Sequence, residues 1–295
     1  MTDMNSKRMI YGLLALLCGF MLMLQPIFQG PASAQEYGLS LHLFSFGKAD
    51  AFLFMTEEGS VLIDTGESGQ GKDILAFLEE NGITELDTLL LTHFDKDHVG
   101  GAAKVLKGIP VRRVLQSNSP RDSKEYNKYL SALSLARIEP VTVREPLSFS
   151  LGGAVFTVYP PEKETYSKDP SNNSSLAVTV HYGDTSFLFT GDAESARLQE
   201  LSGSDLGTFT FLQVPHHGAW QTQFAALLEK TRPDYAVITS SEDEPEDFVT
   251  VQLLEKVGAE ILLTREGEID IFSDGTDLSI FQNGQSLSAS LAPAA

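Results

Sequence analysis

Cysteine is almost missing from this chain. The one residue, Cys18, lies in an apolar N-terminal stretch, so the rest must fold without disulfides and without thiolate metal ligands. Bulky Leu17 just before it speaks against a lipid-attachment box. Basic residues are also scarce. Against 40 Asp and Glu there are 21 Lys and Arg, a formal charge of −19. Binding a phosphate chain depends on Lys and Arg displacing its counterions, so this balance disfavours a general nucleic-acid binder. A small-molecule partner fits better. Histidine is sparse too: there are six, and none follows His217. Long linkers, low-complexity tracts and repeats are lacking between residues 35 and 295, which predicts a single domain over that range. A hydrophobic content of 42% is enough for an ordinary core.

The N-terminus has its own pattern. Lys7 and Arg8 precede a nearly unbroken apolar run, Met9 to Leu24, and Ala32-Ser33-Ala34 has the small-x-small form of a cleavage site. This predicts a signal peptide over residues 1–34 and a secreted or periplasmic protein, with no stable membrane insertion after cleavage. The alternative is an uncleaved membrane anchor, since the run approaches spanning length. The exported protein should begin at Gln35. Intact-mass measurement checks this, and a mass that includes Met1 or an acylated Cys18 would overturn it.

Beyond Gln35 the chain alternates between strand and helix signals. Leu39–Phe46, Ala51–Met55 and Ser60–Asp64 read as strands. Asp73–Glu80 has helical spacing and stops at Asn81-Gly82. Leu86–Leu91 is a buried strand, Val99–Leu106 a helix, Val111–Leu115 a strand and Ser119–Leu135 a peripheral helix. A polar loop from Pro160 to Asn173 leads to a hairpin, Leu176–His181 and Ser186–Thr190, turned at Gly183-Asp184. Strands at Thr208–Val214, Tyr235–Ser240 and Glu260–Leu263 then alternate with helices at Phe224–Leu228 and Val249–Val257, before two short strands. Strands opening each half, then β-α alternation, predict an α/β fold of two packed sheets with helices outside, a four-layer αββα sandwich.

Three polar clusters each come directly after an apolar strand. The first is LLLTHFDKDHVGG, which packs His93, Asp95, Asp97 and His98 into six positions. The second is Gly191-Asp192 after SFLFT, and the third is His216-His217-Gly218 after FLQVP. In layered α/β folds, sites form beyond the strand C-termini, so the three can meet. Neutral imidazole and carboxylate are ligands that zinc and manganese accept. Two ions roughly 3.5–4 Å apart need about six ligands with one carboxylate shared. His93, Asp95, Asp97, His98, Asp192 and one of His216 or His217 supply that number. Gly100, Gly101, Gly191 and Gly218 would let backbone approach a crowded centre. Read singly, the clusters have plainer explanations: a helix-capping loop, a turn and a strand end. Their co-occurrence argues against these. His42, on an alternating strand, and His181, beside a hairpin turn, read as structural.

THFDKDHVGG resembles the signature loop of the metallo-β-lactamase superfamily, usually H-x-H-x-D-H. LFTGD resembles its bridging-aspartate motif, and VLIDTG its upstream structural aspartate, here Asp64. Within the superfamily the chain is most similar to the hydrolase domain of ComEC-like competence proteins. These also have Asp at the Asp95 position, an Asn/Ser segment like Asn172 to Ser175, and HHG after the next strand. The similarity runs from about Leu39 to Phe281. It implies a metal-dependent hydrolase in which one ion takes His93, Asp95 and Asp192. The other would take Asp97, His98, Asp192 and a histidine of the pair, His217 being favoured beside Gly218. Asp95 and Asp97 become the candidate catalytic residues, acting through an activated water. An oxygen-rich first site suits manganese as well as zinc.

The chain also departs from the pattern. SFGKADA stands where the family reads DVGQGDA, so Ser45 and Ala49 replace Asp and Gly. HHGS becomes HHGA, and acidic Glu242 to Asp247 occupies the region of a family His-Pro pair. We therefore expect a small ester or phosphodiester as substrate. A competence-type nuclease acting on DNA and a non-catalytic binding protein stapled by metal are the alternatives.

Overall fold

The computed structural model describes residues 38–287. Cys18, the signal peptide and its cleavage site lie outside that range.

The first half opens with three antiparallel strands, β1 (Leu39–Leu43), β2 (Phe52–Thr56) and β3 (Gly59–Ile63). It continues with α1 (Gly71–Glu80), β4 (Leu86–Leu91), α2 (Lys96–Val99), α3 (Ala102–Gly108), β5 (Val111–Gln116), α4 (Lys124–Ala136) and β6 (Val141–Thr142). The second half has an antiparallel opening in β7 (Leu147–Leu151), β8 (Ala154–Tyr159), β9 (Ala177–Tyr182) and β10 (Thr185–Phe189). Next come α5 (Ser195–Gly203), β11 (Phe211–Gln213), α6 (Phe224–Thr231), β12 (Tyr235–Ile238), α7 (Phe248–Val257) and β13 (Glu260–Leu263). The chain then returns to the first sheet with β14 (Ile269–Ser273), β15 (Leu278–Gln282) and β16 (Gln285–Ser286). One sheet has the order β16-β15-β14-β1-β2-β3-β4-β5-β6, the other β13-β12-β11-β10-β9-β8-β7. In each, the strands that lead to the polar clusters run parallel: β3 with β4 and β5, and β10 with β11 and β12.

Burial divides the apolar side chains into three bodies. Leu41, Phe54, Ile63, Val180, Phe187 and Phe211 belong to the layer between the sheets. Ile74, Leu78, Val105 and Tyr129 pack helices onto the outer face of the first sheet. Leu198, Leu227 and Leu254 do the same on the second. The architecture is therefore the predicted αββα sandwich. Phe54 links the sheets through edge-to-face contacts with Phe156, Phe187 and Phe189 at 5.4, 5.7 and 5.5 Å, a favoured geometry for aromatic quadrupoles. Among the described residues, no helix is long and apolar enough to cross a membrane.

Several local expectations change. Val99–Leu106 is not one helix: α2 and α3 break around Gly100-Gly101. A Cβ on Gly100 would stand 2.3 Å from the Lys96 carbonyl and 2.4 Å from the Ser68 nitrogen. These glycines let the helices press against the 65–71 turn, so their role is packing and not approach to a metal. The helix expected from Ser119 begins only at Lys124, because the Ser123 hydroxyl caps it by accepting from the Tyr126 N–H at 3.1 Å. Residues 119–122 stay in a loop. The β7–β8 hairpin goes beyond the sequence reading, although LSFSL alternates and Gly152-Gly153 has φ of 54° and 81°. So does α5, whose apolar spacing is weak.

Candidate metal centre

The centre forms at the C-terminal ends of the parallel strands, where loops from both sheets converge. Asp64 ends β3 with φ of 57°, in the left-handed region. Its carboxylate accepts from the Thr92 N–H at 2.8 Å and the Thr92 hydroxyl at 2.6 Å. Asp64 Oδ2 also lies 2.8 Å from His98 Nδ1. That contact fixes the imidazole and leaves Nε2 facing Asp192 Oδ1 at 3.1 Å. A carboxylate behind the ring is how metal-binding histidines are held in tautomer and orientation.

Across the seam, Asp192 is carried by a turn that needs glycine before it. Gly191 has φ of 52°, and a Cβ there would lie 3.0 Å from Thr92. The Asp192 N–H donates to the Ser175 hydroxyl at 3.2 Å. His216 and His217 both adopt left-handed conformations, φ 51° and 55°, between Pro215 and Gly218. Two consecutive non-glycine residues there carry backbone strain, which persists only where surrounding contacts impose it. For His217 those contacts are clear. Its Nδ1 meets the Thr239 hydroxyl at 2.8 Å, and Nε2 lies 3.4 Å from Asp192 Oδ2 and 3.5 Å from Asp97 Oδ2. Thr239 in turn donates to Asp50 at 2.6 Å.

Asp97, His98, Asp192 and His217 thus form one tight group whose ligand atoms lie within 4.8 Å of one another. His93 and Asp95 stand one step out, with His93 Nε2 3.8 Å from Asp192 and 3.9 Å from Asp95. His216 is half-buried and turned toward Glu194, its Nδ1 at 3.4 Å, with Nε2 3.9 Å from Asp192. Of the two adjacent histidines, the geometry brings His217 into the group. His93 Nε2, His98 Nε2, His217 Nε2 and Asp192 Oδ1 are buried without a hydrogen-bond partner. Orphaned lone pairs of this kind are costly, and here they face one another. The donor set of imidazole and carboxylate fits a divalent cation.

The electrostatics couple these groups closely. Burial pulls His98 down, but Asp192 and Asp64 outweigh it and lift its pKa well above the usual value. His217 is likewise lifted against burial by Asp192 and Asp50. Burial and the charge of His98 depress His93. Asp97 and Asp192, despite burial, are held well below the carboxylate range by His217 and His98.

Sequence reasoning missed several contributors. Asp50 is fully buried beneath His217 and His98, and its signal was the Asp that SFGKADA keeps from the family's DVGQGDA. Glu194 accepts from the Asn172 amide at 2.8 Å and is raised to about 7 by burial and its bond with Asp169. Arg121 and Ser171, from separate loops, both donate to Asp95 Oδ1. Nothing in the sequence linked these three to the site. His42 pairs with Asp270 at 2.7 Å and stacks on Phe77, away from the centre, as a structural histidine would.

A family model described as the metallo-beta-lactamase superfamily matches residues 45–240. The chain belongs to the metallo-β-lactamase superfamily. Its similarity to competence proteins is also direct. Recombination protein 2 of Haemophilus influenzae is 30% identical over 72% of this chain and 25% of its own length. ComE operon protein 3 of Bacillus subtilis is 30% identical over 70% of this chain and 29% of its own. The chain therefore spans about a quarter of the length of the curated relatives it matches. Among solved structures, the metallo-β-lactamase fold protein YhfI of Bacillus subtilis superposes with a TM-score of 0.50. It is 12% identical and covers 76% of this chain and 96% of its own. CmlA, a diiron β-hydroxylase of Streptomyces venezuelae, gives 0.51 at 14% identity, over 83% of this chain and 54% of its own. At such identity these neighbours bear on the fold alone.

Proposed function

We propose that this metallo-β-lactamase superfamily member is an exported hydrolase of a small ester or phosphodiester that depends on two divalent ions, manganese or zinc. The observation that carries the reading is the set of buried, unpartnered His93, His98, His217 and Asp192 atoms facing one spot. His93, Asp95 and Asp192 would hold one ion, and Asp97, His98, Asp192 and His217 the other. Ions held there would activate water for attack and stabilise developing negative charge on the substrate.

The chain's own residues set the conditions. Asp64 and Thr239 orient His98 and His217, so that each offers Nε2. The hydrogen-bonded turn at Gly191 fixes the shared carboxylate. A small substrate fits the acidic balance of the chain. The approach of a long polyanion would be repelled, with screening only over roughly 8–10 Å at physiological salt. The 30% identity to competence proteins favours a second reading, a nuclease acting on DNA.

A side-by-side assay separates the two. Purified protein with manganese or zinc is given plasmid DNA, single-stranded DNA and a chromogenic phosphodiester. We expect metal-dependent turnover of the small substrate to dominate. Efficient DNA degradation with no small-substrate turnover would sink our reading and support the nuclease.

A further inference from the structure

Asp95 is the candidate ligand that meets donors from two other loops. Its Oδ1 accepts from the Arg121 guanidinium and from the Ser171 hydroxyl. The same oxygen is the one 3.9 Å from His93 Nε2. A carboxylate oxygen has two lone pairs, and the two donors use both. A cation that takes this oxygen, the one that meets His93, competes with both donors for it, and Arg121 is the donor that can yield. Its side chain is 44% exposed, whereas Ser171 is partly buried. Placing a divalent charge a few ångströms from a guanidinium also adds repulsion that Ser171 does not experience.

The loops that carry these donors are fixed to each other. The Ser117 hydroxyl donates to the Ser174 carbonyl at 2.7 Å, tying the β5–α4 loop to the loop before β9. Arg121 therefore remains at the mouth after it releases Asp95. Asp50 and Asp64 do not neutralise it there, because they sit behind the histidines, on the Nδ1 side of His217 and His98. Lys48 is nearby but engages Glu244 at 3.6 Å. Among the described residues, Arg121 is the Lys or Arg side chain that touches a candidate ligand. In a chain so rich in carboxylates, a cation held at that point is poised for an anion.

Resting on the hydrolase reading above, we infer that Arg121 is a substrate-binding residue that takes a non-bridging oxygen of an anionic phosphodiester, and that it selects phosphodiesters over neutral esters. A guanidinium suits this task because its planar fork stays charged and can donate two parallel bonds to a phosphate.

The test uses the full exported chain loaded with manganese, as wild type, Arg121→Met and Arg121→Lys. Three quantities are read: affinity for inorganic phosphate by calorimetry, the kcat/KM ratio of a chromogenic phosphodiester over a neutral aryl ester, and bound metal by elemental analysis. We expect Arg121→Met to weaken phosphate binding at least tenfold and to lower the ratio by a similar factor, with metal content retained. Arg121→Lys should recover part of both. Unchanged phosphate affinity would overturn the inference. So would a loss of metal with equal loss on both substrates, since that would make Arg121 only a support for Asp95. If wild type turns over neither substrate, the hydrolase reading fails, while phosphate affinity still decides the role of Arg121.

Discussion

Asp192→Ala should leave the centre with almost no metal, and with it almost no turnover. Asp192 is the one carboxylate that reaches every histidine of the site, at 3.1 Å from His98, 3.4 Å from His217 and 3.8 Å from His93. Loss of a peripheral ligand would spare one ion, whereas loss of the shared group unseats both. Even residues that only orient ligands cost roughly 10–100-fold in affinity or activity, so removal of the shared ligand should cost more than that. Elemental analysis of the purified variant is the direct check. Metal content equal to wild type would rule out a shared role for Asp192.

Metal and pH should act together on stability. His98 and His217 have folded pKa values raised above the unfolded one. The stability they contribute is full below about pH 6.5 and is lost as pH rises through the folded values. Asp97 and Asp192 are depressed. Their contribution is full above about pH 4 and is lost as pH falls through the folded values. Metal-stripped protein is therefore favoured by this cluster at mildly acidic pH and loses the histidine share at alkaline pH. Divalent ions compete with protons for the same imidazoles, so their affinity should climb with pH and their uptake near neutrality should release protons. At free metal about a thousandfold above Kd, binding contributes about 4 kcal/mol, which corresponds to a rise in Tm on the order of 10 °C for a chain of this size. Thermal melts with and without chelator from pH 6 to 9 should show the gap widening. A gap that is constant or narrows would mean that His98 and His217 are not where the ions bind.

The fold was legible because its signals are local. Apolar runs ending in His, Asp and Gly marked β4, β10 and β11 and the end of the sandwich where they finish. The ligand types in THFDKDH were legible for the same reason. What escaped the sequence depends on contacts across the seam. Asp50 works from beneath His217, Glu194 through Asn172 and His216, and Arg121 through Asp95, and none of these partners is a neighbour in sequence. The break at Gly100-Gly101 was missed because its cause, the 65–71 turn pressing on α2, is a tertiary contact. The choice between His216 and His217, for which the sequence only favoured His217, turns on Thr239, just past the end of β12.

The tight group draws Asp97 and His98 from one sheet and Asp192 and His217 from the other. Neither half holds the whole group alone. During folding, each half can collapse on its own antiparallel strands, but the high-affinity site appears only once the sheets have docked. Loop-closure entropy makes such long-range contacts late events. Metal capture would thus be a latch on a finished structure and not a nucleus for it.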